Sequence, residues 1–374
     1  MPYGTVNADT LVTSTSGGIL GAGNASIMKN RIINGAMVID QRNAGASVTP
    51  TTLAYMVDRW QYFSTQASKF TAQQNAGAIT PPIGFTNYLG MTVASAVTVG
   101  AGDTFGIRQH IEGYNIADLG WGTANAKTIT ISFQVYSSLT GTFGGVLQNS
   151  AQNRNYPFTF TISNANTWTQ ISITVAGDTS GTWLTDNGIG IRCSFNLGTG
   201  STYSGTAGAW SSTLYFAPTG AVSVIGTAGA TFYITGVQLE VGSSATGYEY
   251  RQYGQELALC QRYFEQSYTY GKVAGSSTDQ EAVVCAASYA TSTTVVDYGT
   301  TSYFKVTKRA APTIAFYQQS GTANNWNYAA LGAYTTVAQW AGTNGFGFYT
   351  TTASGATTNR AYMAFGHFTA SAEL

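Results

Sequence analysis

From Thr128 to Val135 apolar and polar side chains change places at every step, with Ile129, Ile131, Phe133 and Val135 set against Thr128, Thr130, Ser132 and Gln134. A period of two sends successive side chains to opposite faces, so this run predicts a strand with one buried face. The pattern recurs at Phe158, Phe160 and Ile162, at Ile171, Ile173 and Val175, and at Ile189, Ile191, Cys193, Phe195 and Leu197. Gly, Asn, Asp or Pro separates each run from the next. Many antiparallel strands, each with one face to hide, must stack as two sheets, so residues 29–252 are expected to form a large jelly-roll-like β-sandwich. Near its start NRIINGAMVIDQRN is expected to supply an edge strand, with Asn34-Gly35 as a tight turn.

The period changes once. Phe232 and Ile234 alternate with polar neighbours, and beyond Gly236 the apolar parity flips to Val237, Leu239 and Val241. A one-residue bulge at the glycine produces that shift. From Gly254 the apolar positions become Leu257, Cys260 and Phe264, with Glu256 in the opening turn and Arg262 near the end, which predicts a short amphipathic helix within 253–266. Residues 267–374 then return to strand patterning at Glu281–Ala287, Thr293–Asp297, Ser302–Thr307, Thr313–Tyr317, Phe346–Thr351 and Ala361–Thr369, with Pro312 at a strand start. The fold class is therefore all-β: a large sandwich, a connecting helix and a smaller C-terminal β-sandwich.

Composition narrows the function. Charged residues are 9% of the 374 and the net charge is zero, so there is no basic surface for nucleic acid or an acidic membrane. Polarity comes instead from Thr, Ser, Asn, Gln and 44 glycines. Cys193, Cys260 and Cys285 are far apart and lie in apolar patterns, which reads as small core hydrophobes and not as a disulfide scaffold or a zinc site. No cofactor is expected. Residues 1–28 are small, polar and glycine-broken, and read either as an anchor that orders on a partner or as a flexible leader. MPYGTVNADT lacks the basic start and apolar run of a secretory signal.

QLEVG, its Tyr- and Arg-containing connector and QELALCQRYF resemble the junction of bacteriophage tail-fibre-type proteins, especially those predicted for marine and cyanobacterial phages. The resemblance extends to NRIINGAMVIDQRNAGASVTPT, VDRW, QHIEGYNIADLGWGTANAKTITISFQVYSS, WTQISITVAGDTSGTW, KRAAPT and the terminal TASAEL. It implies an external virion component made in the host cytoplasm, trimeric like most fibres. Residues 1–28 would dock on other virion proteins, and a host-surface polysaccharide would be the ligand. In a homotrimer Leu257, Cys260 and Phe264 would line the threefold axis. The alternative is that the helix packs on its own sandwich.

Uncharged sugars are held by aromatic faces and by amide, hydroxyl and backbone groups. GTANNWNYAALGAYTTVAQWAGTNGFGFY, at residues 321–349, reads as loop and strand edge with those ingredients. Asn325 is the candidate hydroxyl partner there, and Trp326, Tyr328 and Trp340 are the candidate stacking platforms. Filling the terminal core is the competing role for these aromatics. Trp60, Trp121 and Trp183 lie in the resembling motifs and are expected to be structural, with Trp210 a lesser loop candidate. A depolymerase would need paired carboxylates, for which Glu112 with Asp118 and Asp178 with Asp186 are the candidates. Turn geometry favours a structural role for them. His110 is expected to face solvent with Arg108, and neither it nor His367 has a nucleophile or ligand set nearby. GTGSTYSG lacks the lysine of a phosphate loop. A non-enzymatic adhesin with its binding site in the C-terminal domain is the leading expectation, and a purely structural head or baseplate decoration is the alternative.

Overall fold

A computed structural model describes residues 28–277, 302–329 and 331–374, together with the backbone of short strands at 10–12, 19–21, 284–289 and 294–298. Most of the expected anchor, residues 1–28, lies outside the described residues. So do Glu281–Val283 of one expected strand and the side chain of Cys285.

In chain order the strands are β1 (Thr10–Val12), β2 (Ile19–Gly21), β3 (Leu53–Tyr55), β4 (Gln61–Ser64), β5 (Phe70–Gln74), β6 (Leu89–Val93), β7 (Thr104–Glu112) and β8 (Ile129–Ser137). They continue as β9 (Gly141–Gln148), β10 (Asn155–Ile162), β11 (Thr169–Val175), β12 (Ile189–Thr199), β13 (Ser204–Gly205), β14 (Ala217–Pro218) and β15 (Thr231–Val241). After helix α1 (Tyr253–Gln261) come β16 (Phe264–Gln266), β17 (Val284–Tyr289), β18 (Thr294–Tyr298), β19 (Ser302–Tyr303) and β20 (Thr313–Tyr317). The last four are β21 (Asn325–Tyr328), β22 (Gly332–Gln339), β23 (Gly345–Ser354) and β24 (Ala361–Ser371).

The chain is all-β, with stacked sheets. A six-stranded sheet ordered β10-β9-β12-β7-β4-β3 faces a five-stranded sheet ordered β11-β8-β15-β6-β5. Between them lie the alternating residues, including Ile131, Phe133 and Val135 of β8, Phe195 and Leu197 of β12, and Phe232 and Ile234 of β15. Phe133 meets Phe160 and Phe195 edge-on at centroid distances of 5.1 and 5.0 Å, a geometry worth more than area burial alone.

The parity flip is a β-bulge. Pairing of β15 with β8 shifts between Thr235 and Gln238, and Gly236 holds φ 62°. The groups this leaves without ladder partners are satisfied by an N-terminal segment. Val237 N–H donates to the Gly35 carbonyl at 3.0 Å, Asn30 Nδ2 donates to the Val237 carbonyl at 3.1 Å, and Leu239 N–H donates to Asn30 Oδ1 at 3.1 Å. The expected edge strand at NRIINGAMVIDQRN is therefore not formed. The segment is a buried coil whose Asn34 turns the chain, with Met37 N–H on the Asn34 carbonyl at 3.1 Å. Its buried amides bond backbone across the fold and leave no ladder for a strand.

Helix α1 is shorter than expected, because Phe264 opens β16 instead of continuing the helix. Cys260 is fully buried with Ile33, Ile39 and Tyr263, and Phe264 is 6% exposed. With Leu257 half-buried against the same cluster, the helix packs on its own chain, and Cys260 and Phe264 have no surface to offer a threefold axis.

The third sheet is organised on β24, which pairs with β16, β17, β20 and β21, while β22 and β23 extend it. Its core holds Phe316, Trp326, Tyr328, Phe346, Phe348 and Phe368. A polar seam joins it to the large sandwich. Glu112 accepts two bonds from Arg262, at 2.9 and 2.6 Å, and one from the Tyr263 hydroxyl at 2.6 Å. Glu373 pairs with Arg42 and Arg59 across it, while Lys308 pairs with Glu265 within the C-terminal part.

This seam also corrects the expectation for His110. The histidine is 5% exposed, its Nδ1 lies 2.9 Å from the Leu374 carbonyl and its Nε2 lies 3.3 Å from Arg192. At His110 the outer face of β7 is not open to solvent but covered by Leu374, beyond the end of β24, and by Arg59. Burial, followed by the neighbouring Arg108 and Arg192 charges, holds the imidazole well below its ordinary range.

Candidate functional site

The four residues expected to bind sugar do not converge. Trp326 and Tyr328 sit two apart on one face of β21 and are 0% and 2% exposed. The Trp326 indole packs on Phe348 at 4.4 Å and on Phe316 at 5.5 Å, and its Nε1 donates to the His367 carbonyl at 3.0 Å. A ring covered on both faces has none to offer a ligand, so these two residues are core. Asn325 is half-buried, and Trp340 stands 72% exposed with φ 50° in the turn from β22 to β23. In the large sandwich Trp60 is buried with its indole N–H on the Asn34 carbonyl. Trp210 packs edge-on against Trp121 and Trp183 at 5.3 and 5.4 Å, and is structural.

The candidate carboxylates are likewise engaged. Glu112 belongs to the seam, Asp118 pairs with Arg31 at 2.8 Å, Asp178 takes a two-pronged contact from Arg154 at 2.6 and 2.7 Å, and Asp186 accepts the Gly188 N–H at 2.8 Å.

A groove of about 150 Å³ opens instead on the outer face of the five-stranded sheet, lined by Phe85, Ser132, Gln134, Gln170, Thr246, Tyr248 and Tyr250 around Gly236. Strand alternation makes this face. With Ile131, Phe133 and Val135 in the core, Ser132, Gln134 and Tyr136 point away from it, and Gln170 stands beside Gln134 in register on β11. The bulge supplies the wall. A Cβ at Gly236 would lie 2.5 Å from the Phe85 ring, so only glycine lets Phe85 seat there, and its left-handed φ suits glycine as well.

Phe85, Tyr248 and Tyr250 form an edge-to-face cluster with centroids 5.1 Å apart for Phe85–Tyr248 and 5.0 Å for Tyr248–Tyr250. Tyr250 is 62% exposed. Burial raises the Tyr248 phenol far above its ordinary range, which keeps it a neutral hydrogen-bonding group at any physiological pH. Thr246 is fixed by Glu240, which accepts from its N–H at 2.8 Å and its hydroxyl at 2.6 Å. Among the described residues the side-chain amides of Gln134 and Gln170 have no hydrogen-bond partner.

Beyond the glutamines the same face is closed by an aromatic cluster in which Tyr88, Tyr136 and Tyr233 are buried. Tyr136 stacks on Tyr233 at 5.4 Å and 7°, and Trp168 tilts over Tyr136 at 5.5 Å. Sequence reasoning passed over this site because Tyr248 and Tyr250 lie in an unpatterned connector and the glutamines look like ordinary outward strand positions. The available signal was one long amide at an outward position on each of two strands. No group of metal-ligating side chains occurs among the described residues.

No family model matches the chain, and no curated protein matches it. Solved structures do. The enzymatically active domain of tailspike protein 4 of bacteriophage CBA120 is 12% identical with a TM-score of 0.32, over 57% of this chain and 21% of that one. A sugar-binding protein assigned from Bacteroides thetaiotaomicron gives 12% and 0.31 over 57% of this chain and all of that one. The family 11 carbohydrate-binding module of Clostridium thermocellum, in complex with a mixed-linked tetrasaccharide, gives 10% and 0.28 over 53% and 98%. The chain thus spans about a fifth of the tailspike chain's length and nearly the whole of the two smaller proteins.

Proposed function

We propose that the chain is a glycan-binding component of a phage appendage, and that it grips a neutral polysaccharide in the groove formed by Phe85, Gln134, Gln170, Tyr248 and Tyr250. One observation carries the reading: two amides without hydrogen-bond partners among the described residues stand side by side against an aromatic cluster whose Tyr250 is exposed, in a groove with no charged side chain in its lining. Aromatic rings cover the apolar faces of a sugar, and the amides donate to and accept from its hydroxyls. The phage setting, with external placement on the virion, trimer formation and docking through residues 1–28, draws its support from the sequence resemblance. Binding without bond-making is supported by the engagement of Glu112, Asp118, Asp178 and Asp186 with partners inside the chain.

The experiment is a glycan array probed with the full chain, followed by titration of the best neutral oligosaccharide against Tyr250→Ala and Gln134→Ala. Each variant removes one stacking or hydrogen-bonding contact worth about 1 kcal/mol, so each should weaken binding about fivefold. Unchanged affinity in the double variant, with unchanged thermal unfolding, would overturn the assignment.

A further inference from the structure

The outer face of the six-stranded sheet, on the far side of the sandwich from the neutral groove, carries two arginines. Ile107 and Phe195 enter the core, so their neighbours Arg108 on β7 and Ser194 on β12 point outward as a pair in register. The next outward pair is His110 with Arg192. Arg108 and Arg192 are therefore diagonal neighbours, a separation that long side chains bridge. Both are half-buried.

Neither guanidinium has a counter-charge. Among the described residues no carboxylate side chain lies within ion-pair distance of either, because Glu112, the next outward position of β7, is engaged by Arg262, and Glu373 by Arg42 and Arg59. Arg192 meets only neutral groups, with Nη1 at 3.3 Å from His110 Nε2 and Nη2 donating to the Ser150 carbonyl at 3.1 Å. The imidazole stands between this arginine and the Leu374 carbonyl, which lies on its other nitrogen. Arg108 Nε donates to Gln61 Oε1 at 2.8 Å, and the guanidinium lies 5.0 Å from the Phe63 ring centre. Its two terminal nitrogens make no hydrogen bond among the described residues and remain open to solvent. Burial, and next the Arg192 charge, lower the Arg108 guanidinium below its ordinary range. Two cations held together without an acid repel one another, and a bound anion relieves that repulsion.

We propose that Arg108 and Arg192 form an oxyanion site, which takes a carboxylate or sulfate group carried by an acidic saccharide or free as an inorganic ion. The terminal nitrogens of Arg108 supply a two-pronged donor matched to such a group, and Arg192 supplies the second positive charge. The site shares no residue with the neutral groove and lies on the other sheet, so either reading can fail alone.

The probes are inorganic sulfate and trigalacturonate, with a neutral trisaccharide as control, each titrated into the full chain at constant ionic strength. The sequence holds two histidines, His110 and His367, so imidazole proton NMR locates the anion. Either anion should move the His110 resonance, beside Arg192, and leave that of His367 in place, and the neutral sugar should move neither. Arg108→Gln should weaken anion binding about tenfold, and Arg108→Lys should restore only part of it, since an ammonium lacks the fork. The anion should raise the thermal midpoint of wild type and not that of Arg108→Gln. Without anion, Arg108→Gln should unfold no earlier than wild type, because it removes a like-charge repulsion, and it should leave neutral-glycan binding unchanged. Tighter binding of trigalacturonate than of sulfate identifies a saccharide as the carrier, and the reverse identifies the free ion. No His110 shift with either anion at millimolar concentration, equal shifts of both histidines, or anion binding by Arg108→Gln as tight as by wild type would each overturn the proposal. If Arg108→Gln does not fold, the His110 shift and the midpoint rise of wild type decide.

Discussion

Replacing Trp326 with alanine separates a core residue from a contact residue. In β21 this indole is fully buried against Phe348 and Phe316, and it lies so close to Gly366 that a Cβ there would come within 2.3 Å of the ring. Truncating a buried Trp to Ala removes transfer free energy and leaves a cavity, at a cost of about 3–5 kcal/mol. The His367 carbonyl also loses its indole donor, which adds about 1 kcal/mol. A loss of about 4–6 kcal/mol is comparable to the whole stability of many domains. Trp340→Ala, at a 72% exposed turn position, should change stability by no more than about 0.5 kcal/mol. The assay is guanidinium denaturation of the full chain, followed by near-ultraviolet circular dichroism, with glycan binding measured in parallel. Trp326→Ala should lower the midpoint of a transition that Trp340→Ala leaves in place, and neither should alter binding in the Phe85–Tyr250 groove. A Trp326→Ala protein as stable as wild type that no longer binds glycan would refute the assignment of Trp326 to the core.

Other outcomes follow from the seam, the bulge and His110. Glu112→Ala should cost about 3 kcal/mol in thermal unfolding, the lower end for a broken buried pair because Arg262 reaches solvent. Gly236→Ala should lose about 1–3 kcal/mol through its left-handed φ and the displaced Phe85 ring, and should weaken neutral-glycan binding in the same protein. His110 is held neutral, so below its ordinary value of 6.5 the unfolded chain takes up a proton that the folded chain refuses. Its contribution to stability is therefore present above that pH and lost as pH falls, by about 1.4 kcal/mol per unit until the folded value is reached. Asp58, raised by burial to about 7, acts oppositely, because the folded state keeps its proton and stability declines as pH rises from about 4 to 7. Comparing denaturation at pH 5 and pH 7 in wild type and His110→Gln isolates the histidine, and an identical pH dependence in the two proteins would contradict its burial as a neutral group.

Much of the large sandwich was legible because alternation and burial share one cause. In β8, β10 and β12 the large apolar side chains all enter the space between the sheets while Thr, Ser, Gln and Asn take the other face, so polarity reports geometry even though in β8 and β12 that other face is largely buried too. The bulge at Gly236 was legible for the same reason, since a shift in parity is what one extra residue does. Alternation failed where both faces are covered. On β7, Arg108, His110 and Glu112 read as outward polar positions, yet Arg108 is held by Gln61, His110 lies against the Leu374 carbonyl and Glu112 is engaged by Arg262 and Tyr263, all distant in the chain. The coil at Asn30–Gln41 misled similarly, because Asn30 and Asn34 bond backbone that only the tertiary fold brings near. In β21 the pattern Asn325, Trp326, Asn327, Tyr328 is itself a strand alternation. Reading it as a loop turned core aromatics into surface platforms, since nothing local distinguishes a ring that packs from one that stacks on a ligand. The glutamines of the neutral groove were passed over because long amides suit any solvated strand face, and their significance comes from Tyr248 and Tyr250, more than a hundred residues downstream of Gln134.

The most direct test of glycan recognition at the Phe85–Tyr250 groove is a crystal structure of the full chain with the best-binding neutral oligosaccharide. A sugar ring lying against Tyr250, with hydroxyls on the Gln134 and Gln170 amides, is the predicted result. An oligosaccharide seated elsewhere, with this groove empty, would contradict it.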